Sequence, residues 1–438
     1  MMVKRRRLAS AGVMPDSPET APSVAAESPL DAPRSVRLNL PVLRPRTLVA
    51  ASVSLLAGLG VFLSLWLIQP RPRRAAVQAA AAAAPIAPVP APVTAHAPAP
   101  PQFQEALRTL TQGFRGDAGA AVFDLKNGWI ASSQGDRAFP QQSVSKLWVA
   151  VALLDQVDHG RIDLNKVVTI HREDLSLFSE PIQALVTPVY QATVGELLVR
   201  QIRDSDNAAN DLLIREIGGA AKVEAILARK GIRGIRIGMD EKHLQCEIAG
   251  VPWRPEFAGN SGLVDARARL PMAYRQAKFQ SYLENPMDGA TPVATVKALA
   301  ALAESRLLSW PSTQRLLAIM REVRTGKRRL KGGLERGWTL GHKTGTGPDL
   351  RGVSAGINDV GILTAPDGHA YAVAVFIADT RAPTPERLAY MQKVSELVEG
   401  QWAGRLPSLE TEPAPAIRRH AARHAPARHE HGRHHRRR

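Results

Sequence analysis

The sequence predicts an α/β (α+β) fold of two lobes, and three observations carry that prediction. Strand-like runs lie near both ends of the globular stretch, at 118–134 and 338–379. Helical spacing dominates between them, from Val144 to about Val323. No internal repeat divides the chain. Strands supplied from both ends close one sheet-bearing lobe, and the helical middle, about 148–325, forms a second. A site between two such lobes is the default expectation.

The elements follow in order. "PQFQEALRTLTQGF" (101–114) has helical spacing, and "AGAAVFDLKNGWIASSQ" (118–134) reads as two strands around a turn at Lys126–Gly128. "SVSKLWVAVALLDQV" (143–157) is a broadly apolar helix fit for a core. "WTLGHKTG", "GVSAGINDVGILTA" and "AYAVAVFIAD" return to strands, the last following a hairpin turn at Asp367-Gly368. "TPERLAYMQKVSELVEGQWAG" is the closing helix, with Thr384 as its expected cap and Glu386 in its first turn.

The ends of the 438-residue chain have a different character. Its net charge of +17 suggests nucleic acid, but residues 1–74 hold eleven Lys/Arg against four Asp/Glu, and 418–438 hold eight against one. The stretch between is therefore close to neutral, which argues against a nucleic-acid partner. Residues 47–68, "TLVAASVSLLAGLGVFLSLWLI", carry no charge and are long enough to span a bilayer. They read as an uncleaved anchor behind a basic cytoplasmic segment, 1–46. Residues 69–101 are Ala/Pro-rich and read as a tether, and 405–438 as a disordered Arg/His-rich tail. The six His of that tail could also bind metal or anionic envelope polymers. One cysteine, Cys246, excludes an intramolecular disulfide and is expected as a small buried residue.

Lys146 lies in the first turn of the apolar helix, where a core has no use for a charge. Ser143 is three residues earlier, on the same face. A serine hydroxyl becomes nucleophilic when a base takes its proton, and a buried lysine can be that base. Ser-x-x-Lys alone also arises by chance. Here "RDSDNAANDLLI" adds Ser205-Asp206-Asn207, and "LGHKTGTG" adds Lys343-Thr344-Gly345, in that order along the chain.

With these three motifs the chain, from about Gln102 to Gly404, resembles class A β-lactamases and, more distantly, the penicillin-binding DD-peptidases. The resemblance implies an antiparallel sheet flanked by N- and C-terminal helices beside an all-helical lobe. It implies that Ser143 forms an acyl-enzyme, with Lys146 in proton transfer and the backbone N–H groups of Ser143 and Thr346 as the oxyanion hole. Ser205 would relay a proton to the leaving nitrogen and Lys343 would hold Ser205 and the substrate carboxylate. Asn207 would bind the substrate's amide, and Thr344, Gly345 and Arg351 the carboxylate side of the site. No cofactor or metal is implied, and the catalytic domain is expected to be a monomer.

Deacylation separates the branches of this superfamily. The resemblance places a water-activating glutamate at Glu241 in "RIGMDEKHLQCEIAG", with Gln245 where the family has asparagine. Met239 stands where the family commonly has a loop arginine, Arg236 matches another family arginine, and Asp288 occupies the place of the absent arginine's acidic partner. Residues 246–287 form an insertion, readable as a surface elaboration or as an element that reshapes the site. The leading expectation is an inner-membrane-anchored, periplasmic serine β-lactamase acting on a β-lactam. The alternatives are an envelope DD-peptidase or other serine hydrolase acting on a peptidoglycan-like substrate, and a slowly deacylating β-lactam-binding protein.

Overall fold

The computed structural model describes residues 97–406. The anchor read at 47–68, most of the tether and the tail beyond Leu406 lie outside them. The chain enters through β1 (Ala97–Pro98), in the last residues of the stretch read as tether, and α1 (Pro101–Gln112). A hairpin of β2 (Asp117–Asp124) and β3 (Trp129–Ser133) follows, and a 3-10 turn, Gln142–Val144, runs into α2 (Ser145–Asp158). The helical lobe continues with α3 (Val194–Val199), α4 (Asn207–Ile217), α5 (Ala220–Arg229), α6 (Glu241–Ala249), α7 (Gly262–Ala268) and α8 (Met272–Glu284). After α9 (Pro292–Ala303) and α10 (Trp310–Arg321) come β4 (Thr339–Thr346), β5 (Ile357–Thr364) and β6 (Ala370–Ala378), and α11 (Thr384–Trp402) closes the domain. Among the described residues no helix is long and apolar enough to cross a membrane.

The main sheet has the order β1-β3-β2-β6-β5-β4, so its centre is built from both ends of the domain. Its pairs are antiparallel except β1 on β3, a two-residue parallel edge. The run "AYAVAVFIA" of β6 is buried on both faces, which is why it reads as continuous apolar text rather than alternation. Val373, Val375 and Ile377 pack with Phe103 and Leu107 of α1 and Met391, Val394 and Val398 of α11. Ala372, Ala374 and Phe376 face the other way, into the core shared with α9 and the helical lobe.

The turns follow from their residues. Gly128 (φ 72) and Gly368 (φ 88) sit in left-handed backbone at the two hairpin turns, where a Cβ would be strained. The Asp124 carboxylate accepts from the N–H groups of Lys126 and Asn127. The closing helix begins at Thr384 itself, with the extended Pro383 as cap, one residue earlier than the Thr384 cap predicts.

Helix α2 is buried around almost its whole circumference and forms the axis of the helical lobe. Leu147, Trp148, Val149, Val151, Leu153 and Leu154 are completely buried. Each contributes about 1.5–3 kcal/mol of apolar burial. That packing fixes where the first turn of α2, and with it Lys146, meets the sheet.

Candidate active site

Ser143 sits in the 3-10 turn that feeds α2, and the turn is held on both sides. Gln142, just before it, has φ 54, a left-handed conformation that costs a non-glycine residue about 1–3 kcal/mol. Its N–H donates to Asp288 Oδ2 at 2.6 Å, and its side chain is engaged at both ends, by the Tyr282 hydroxyl and by Gln245. Gln141 is anchored through Nε2 to the carbonyls of Arg236 and Asp288, and its Oε1 accepts from Trp148 Nε1. Asn358 Nδ2 of β5 donates to the carbonyls of Pro140 and Gln141.

The sheet approaches this turn so closely that one residue type is required. A Cβ placed on Gly345 would lie 2.2 Å from the Gln141 carbonyl oxygen, so the glycine of Lys-Thr-Gly is a condition of packing β4 against the Ser143 turn.

Lys146 is fully buried, and its Nζ donates to Ser143 Oγ at 2.7 Å and to Glu241 Oε2 at 2.9 Å. Glu241 is the first residue of α6, which Asp240 caps, and its N–H donates to Asp211 Oδ1 of α4. Burial alone would raise the Glu241 carboxyl. The Lys146 charge, with hydrogen bonds from Lys146 and Gln245, outweighs burial and holds it below the ordinary glutamate value. Glu241 is therefore an anion within one lysine of Ser143.

Opposite stand Ser205 and Lys343. A π-turn at Arg200–Asp204 ends in Ser205 with φ 59, and Asp206 then caps α4. Lys343, fully buried on β4, donates from Nζ to Ser205 Oγ at 2.8 Å and to the Thr344 carbonyl at 3.0 Å. Burial, with the charges of Lys146 and Arg329, pushes the Lys343 ammonium well below its ordinary value.

These groups open on a cleft of about 430 Å³ that Ser143, Ser205, Asn207, Glu241, Gln245, Thr344 and Thr346 all line. Asn207 Nδ2 donates to the Leu177 carbonyl and its N–H to that of Ser179, while Oδ1 is buried with no partner among the described residues. That oxygen is free to accept a hydrogen bond from a bound molecule.

Arg351 does not line the cleft. It lies exposed in the turn between Asp349–Leu350 and Val353–Ser354, and its carbonyl accepts from Arg381. The cleft arginine is Arg329, which donates to the carbonyls of Gly345 and Asn358 and to Thr346 Oγ1. Burial pulls its guanidinium below the ordinary arginine value. Sequence reasoning missed it because "GKRRL" gives no spacing by which to choose one cation over its neighbours. It also missed Phe178, half-exposed at the rim with φ 64, and Thr325, hydrogen-bonded to Thr344 Oγ1.

The insertion at 246–287 contributes no residue to the lining of the cleft. It completes α6 and adds α7 and α8, with a small core of Leu177, Cys246, Ala249, Val251, Phe257 and Leu263. The Cys246 thiol is pushed up to about 12 by burial. Met239 packs on the main core, Arg236 is exposed, and Asp288 is completely buried against Gln142 and Tyr282.

The sequence model of the β-lactamase enzyme family matches residues 102–402. The chain belongs to the β-lactamase enzyme family. Among curated relatives of this β-lactamase-family chain, extended-spectrum β-lactamase PER-1 of Pseudomonas aeruginosa is 28% identical over 301 residues, covering 68% of this chain and 86% of its own. β-Lactamase VEB-1 of the same organism is 28% identical over 266 residues, covering 60% and 78%. The crystal structure of a β-lactamase from Chitinophaga pinensis superposes with a TM-score of 0.57 at 28% identity, over 68% of this chain and 99% of that one. An ancestral class A β-lactamase gives 0.55 at 28% identity, over 68% and 99%.

Beneath the cleft this family member buries several acids. Burial, then the charges of Asp206 and Asp211, raises Glu180 to about 7. Burial, then Asp240, raises Asp211 to about 7, and burial raises Asp288 to about 6. A carboxyl raised in the folded state binds more protons folded than unfolded, between its unfolded value of about 4 and its folded one. Stability should therefore rise as pH falls from about 8 to about 5.5, by about 5 °C in melting temperature. Asp211→Asn should flatten part of that slope when melting is followed across this range.

Proposed function

We propose that the chain is a serine β-lactamase working through an acyl-enzyme on Ser143. The observation that carries this reading is the line Ser143–Lys146–Glu241, which puts an ionised, cleft-facing carboxylate beside the nucleophile. Acylation alone has less need of that carboxylate than ester hydrolysis has. Ser143 Oγ attacks the lactam carbonyl, and its proton leaves toward the Lys146–Glu241 pair. The negative oxygen forms against the backbone N–H groups of Ser143 and Thr346. The C–N bond breaks as Ser205, held by Lys343, delivers a proton to the ring nitrogen and is reprotonated by the proton that Ser143 gave to the Lys146–Glu241 pair. Water then attacks the ester, its proton passes to Glu241, and Ser143 leaves with a proton regained. Asn207 Oδ1 accepts from the substrate's amide N–H. Lys343, Thr344 and Arg329 form the cationic, hydroxyl-bearing end that suits a carboxylate.

We also read residues 47–68 as a membrane anchor that places the domain outside the cytoplasm. The support is their uncharged length for the span and the basic run Lys4–Arg7 before it for the orientation.

The test is pre-steady-state mixing of the protein with a chromogenic cephalosporin. Sustained turnover that disappears in Ser143→Ala supports the reading. A burst of one equivalent followed by no turnover in the parent would instead favour the peptidase or slowly deacylating alternatives. Absence of both burst and turnover would remove Ser143 as nucleophile toward that substrate.

A further inference from the structure

The insertion stays out of the cleft, yet one of its side chains reaches the catalytic hydrogen bonds from behind. Tyr282, on α8, is 3% exposed, and its hydroxyl donates to Asp288 Oδ1 at 2.9 Å. The same hydroxyl oxygen accepts from Gln142 Nε2. Gln142 Oε1 accepts from Gln245 Nε2 at 3.0 Å, and Gln245 Nε2 also donates to Glu241 Oε1 at 2.8 Å. A continuous chain of hydrogen bonds therefore joins Asp288 to Glu241 through two amides and one phenol.

Its direction follows from the chemistry of the ends. Burial raises Asp288 to about 6, so at about pH 7.5 it is an anion and accepts only. The backbone N–H of Gln142 satisfies Oδ2, and Oδ1 takes the single phenolic proton. The phenol oxygen must then accept, which turns the Gln142 amide so that its NH₂ faces Tyr282 and its carbonyl faces Gln245. That carbonyl in turn requires the Gln245 NH₂, whose second proton points at Glu241. Without the hydroxyl, Gln142 could rotate its amide, and Gln245 could follow and set a carbonyl against the Glu241 carboxylate.

We propose that Tyr282 is a positioning residue for deacylation, delivered by the insertion, which fixes the amide orientation of Gln142 and Gln245 and through them the placement of Glu241. The proposal rests on Glu241 activating the deacylating water. It gives Asp288 a function where Met239 replaces the family's arginine partner, and it gives Gln245 a use for its longer arm. The Lys146–Ser143 hydrogen bond and Ser205 stand outside this chain of bonds, so acylation depends on it less than deacylation does.

The experiment is pre-steady-state hydrolysis of a chromogenic cephalosporin by the full chain and by Tyr282→Phe, at about pH 7.5. The burst amplitude counts folded, acylating enzyme, so partial misfolding is separated from slowed chemistry. The expected result is an acylation rate within about twofold of the parent and a deacylation rate about tenfold lower, the worth of one hydrogen bond's ordering. Phe279→Leu, on the same buried face of α8, should leave the ratio of the two rates unchanged. Equal slowing of both steps in Tyr282→Phe, or the same altered ratio in Phe279→Leu, would reduce Tyr282 to a packing role and overturn the proposal. If Glu241→Gln stalls after one equivalent and Tyr282→Phe turns over as the parent does, the proposal falls alone. If Glu241→Gln itself turns over normally, the deacylation reading falls and takes the proposal with it.

Discussion

Glu241→Gln is expected to keep the burst and lose the turnover. Glutamine is nearly isosteric and can still meet Lys146 and Gln245, so the first half-reaction keeps its geometry. It cannot take a proton from water, and general-base assistance of this kind is worth about 10²–10⁴-fold. Deacylation should therefore slow by about 10³-fold while one equivalent of product still appears within the burst. Mass spectrometry of the stalled protein should find the adduct on the peptide bearing Ser143. A variant that instead lost acylation and deacylation together would mean that Glu241, rather than Lys146, receives the Ser143 proton. The acid limb of the parent's deacylation should lie below pH 4.5, because Lys146 and Gln245 hold the Glu241 carboxyl under that ordinary value.

Lys146→Met is expected to damage both chemistry and stability. The side chain is completely buried between Ser143 and Glu241, and methionine roughly fills its volume without its charge. Acylation should fall by about 10³–10⁴-fold with the loss of the proton carrier. The Glu241 carboxylate would be left buried without its ion-pair partner, which costs about 3–5 kcal/mol. Urea unfolding should show that loss at neutral pH. With the ammonium gone, burial is left to raise Glu241 above its unfolded value. The sign of its linkage then reverses: the variant gains stability as pH falls, where the parent's Glu241 contributes stability above about pH 4.5. Adding Glu241→Gln to Lys146→Met removes the stranded charge and should restore most of the stability while activity stays absent.

The sheet and the motif residues were legible because their signals are local. Ser143 and Lys146 lie one turn apart, Ser205 and Asn207 flank the Asp206 cap of a helix, and Lys343 to Thr346 end a strand. The two hairpin pairings, β2 with β3 and β5 with β6, were legible too, since the turns at Gly128 and Gly368 carry the residues such turns require. The short pair Val167–Ile170 with Tyr190–Thr193 was missed inside the helical stretch, four residues being too few to set a period against helical neighbours. Arg329 was hidden for a different reason. Its role comes from where a loop folds over the β4–β5 pair, and neither its neighbours nor its spacing encode that. Tyr282 and Asp288 lie six residues apart, but Gln142 is about 140 residues earlier and meets them only in three dimensions. Nothing in "FQSYLENPMDG" distinguishes a tyrosine that packs from one that holds an amide.

The chain's single thiol lies between these two kinds of residue. Cys246 follows Gln245 on α6 and faces the small core of the insertion, buried and pushed up to about 12. At about pH 8 only about one molecule in 10⁴ would carry a thiolate there, against roughly a quarter for an ordinary cysteine. Any alkylating reagent therefore consumes Cys246 chiefly through moments when the insertion core opens, and the labelling rate becomes a clock for that opening. Because α6 also begins with Glu241, the clock is attached to the helix that carries the carboxylate paired with Lys146. Breathing of the region can thus be timed in the unmodified protein, without an introduced probe and without substrate.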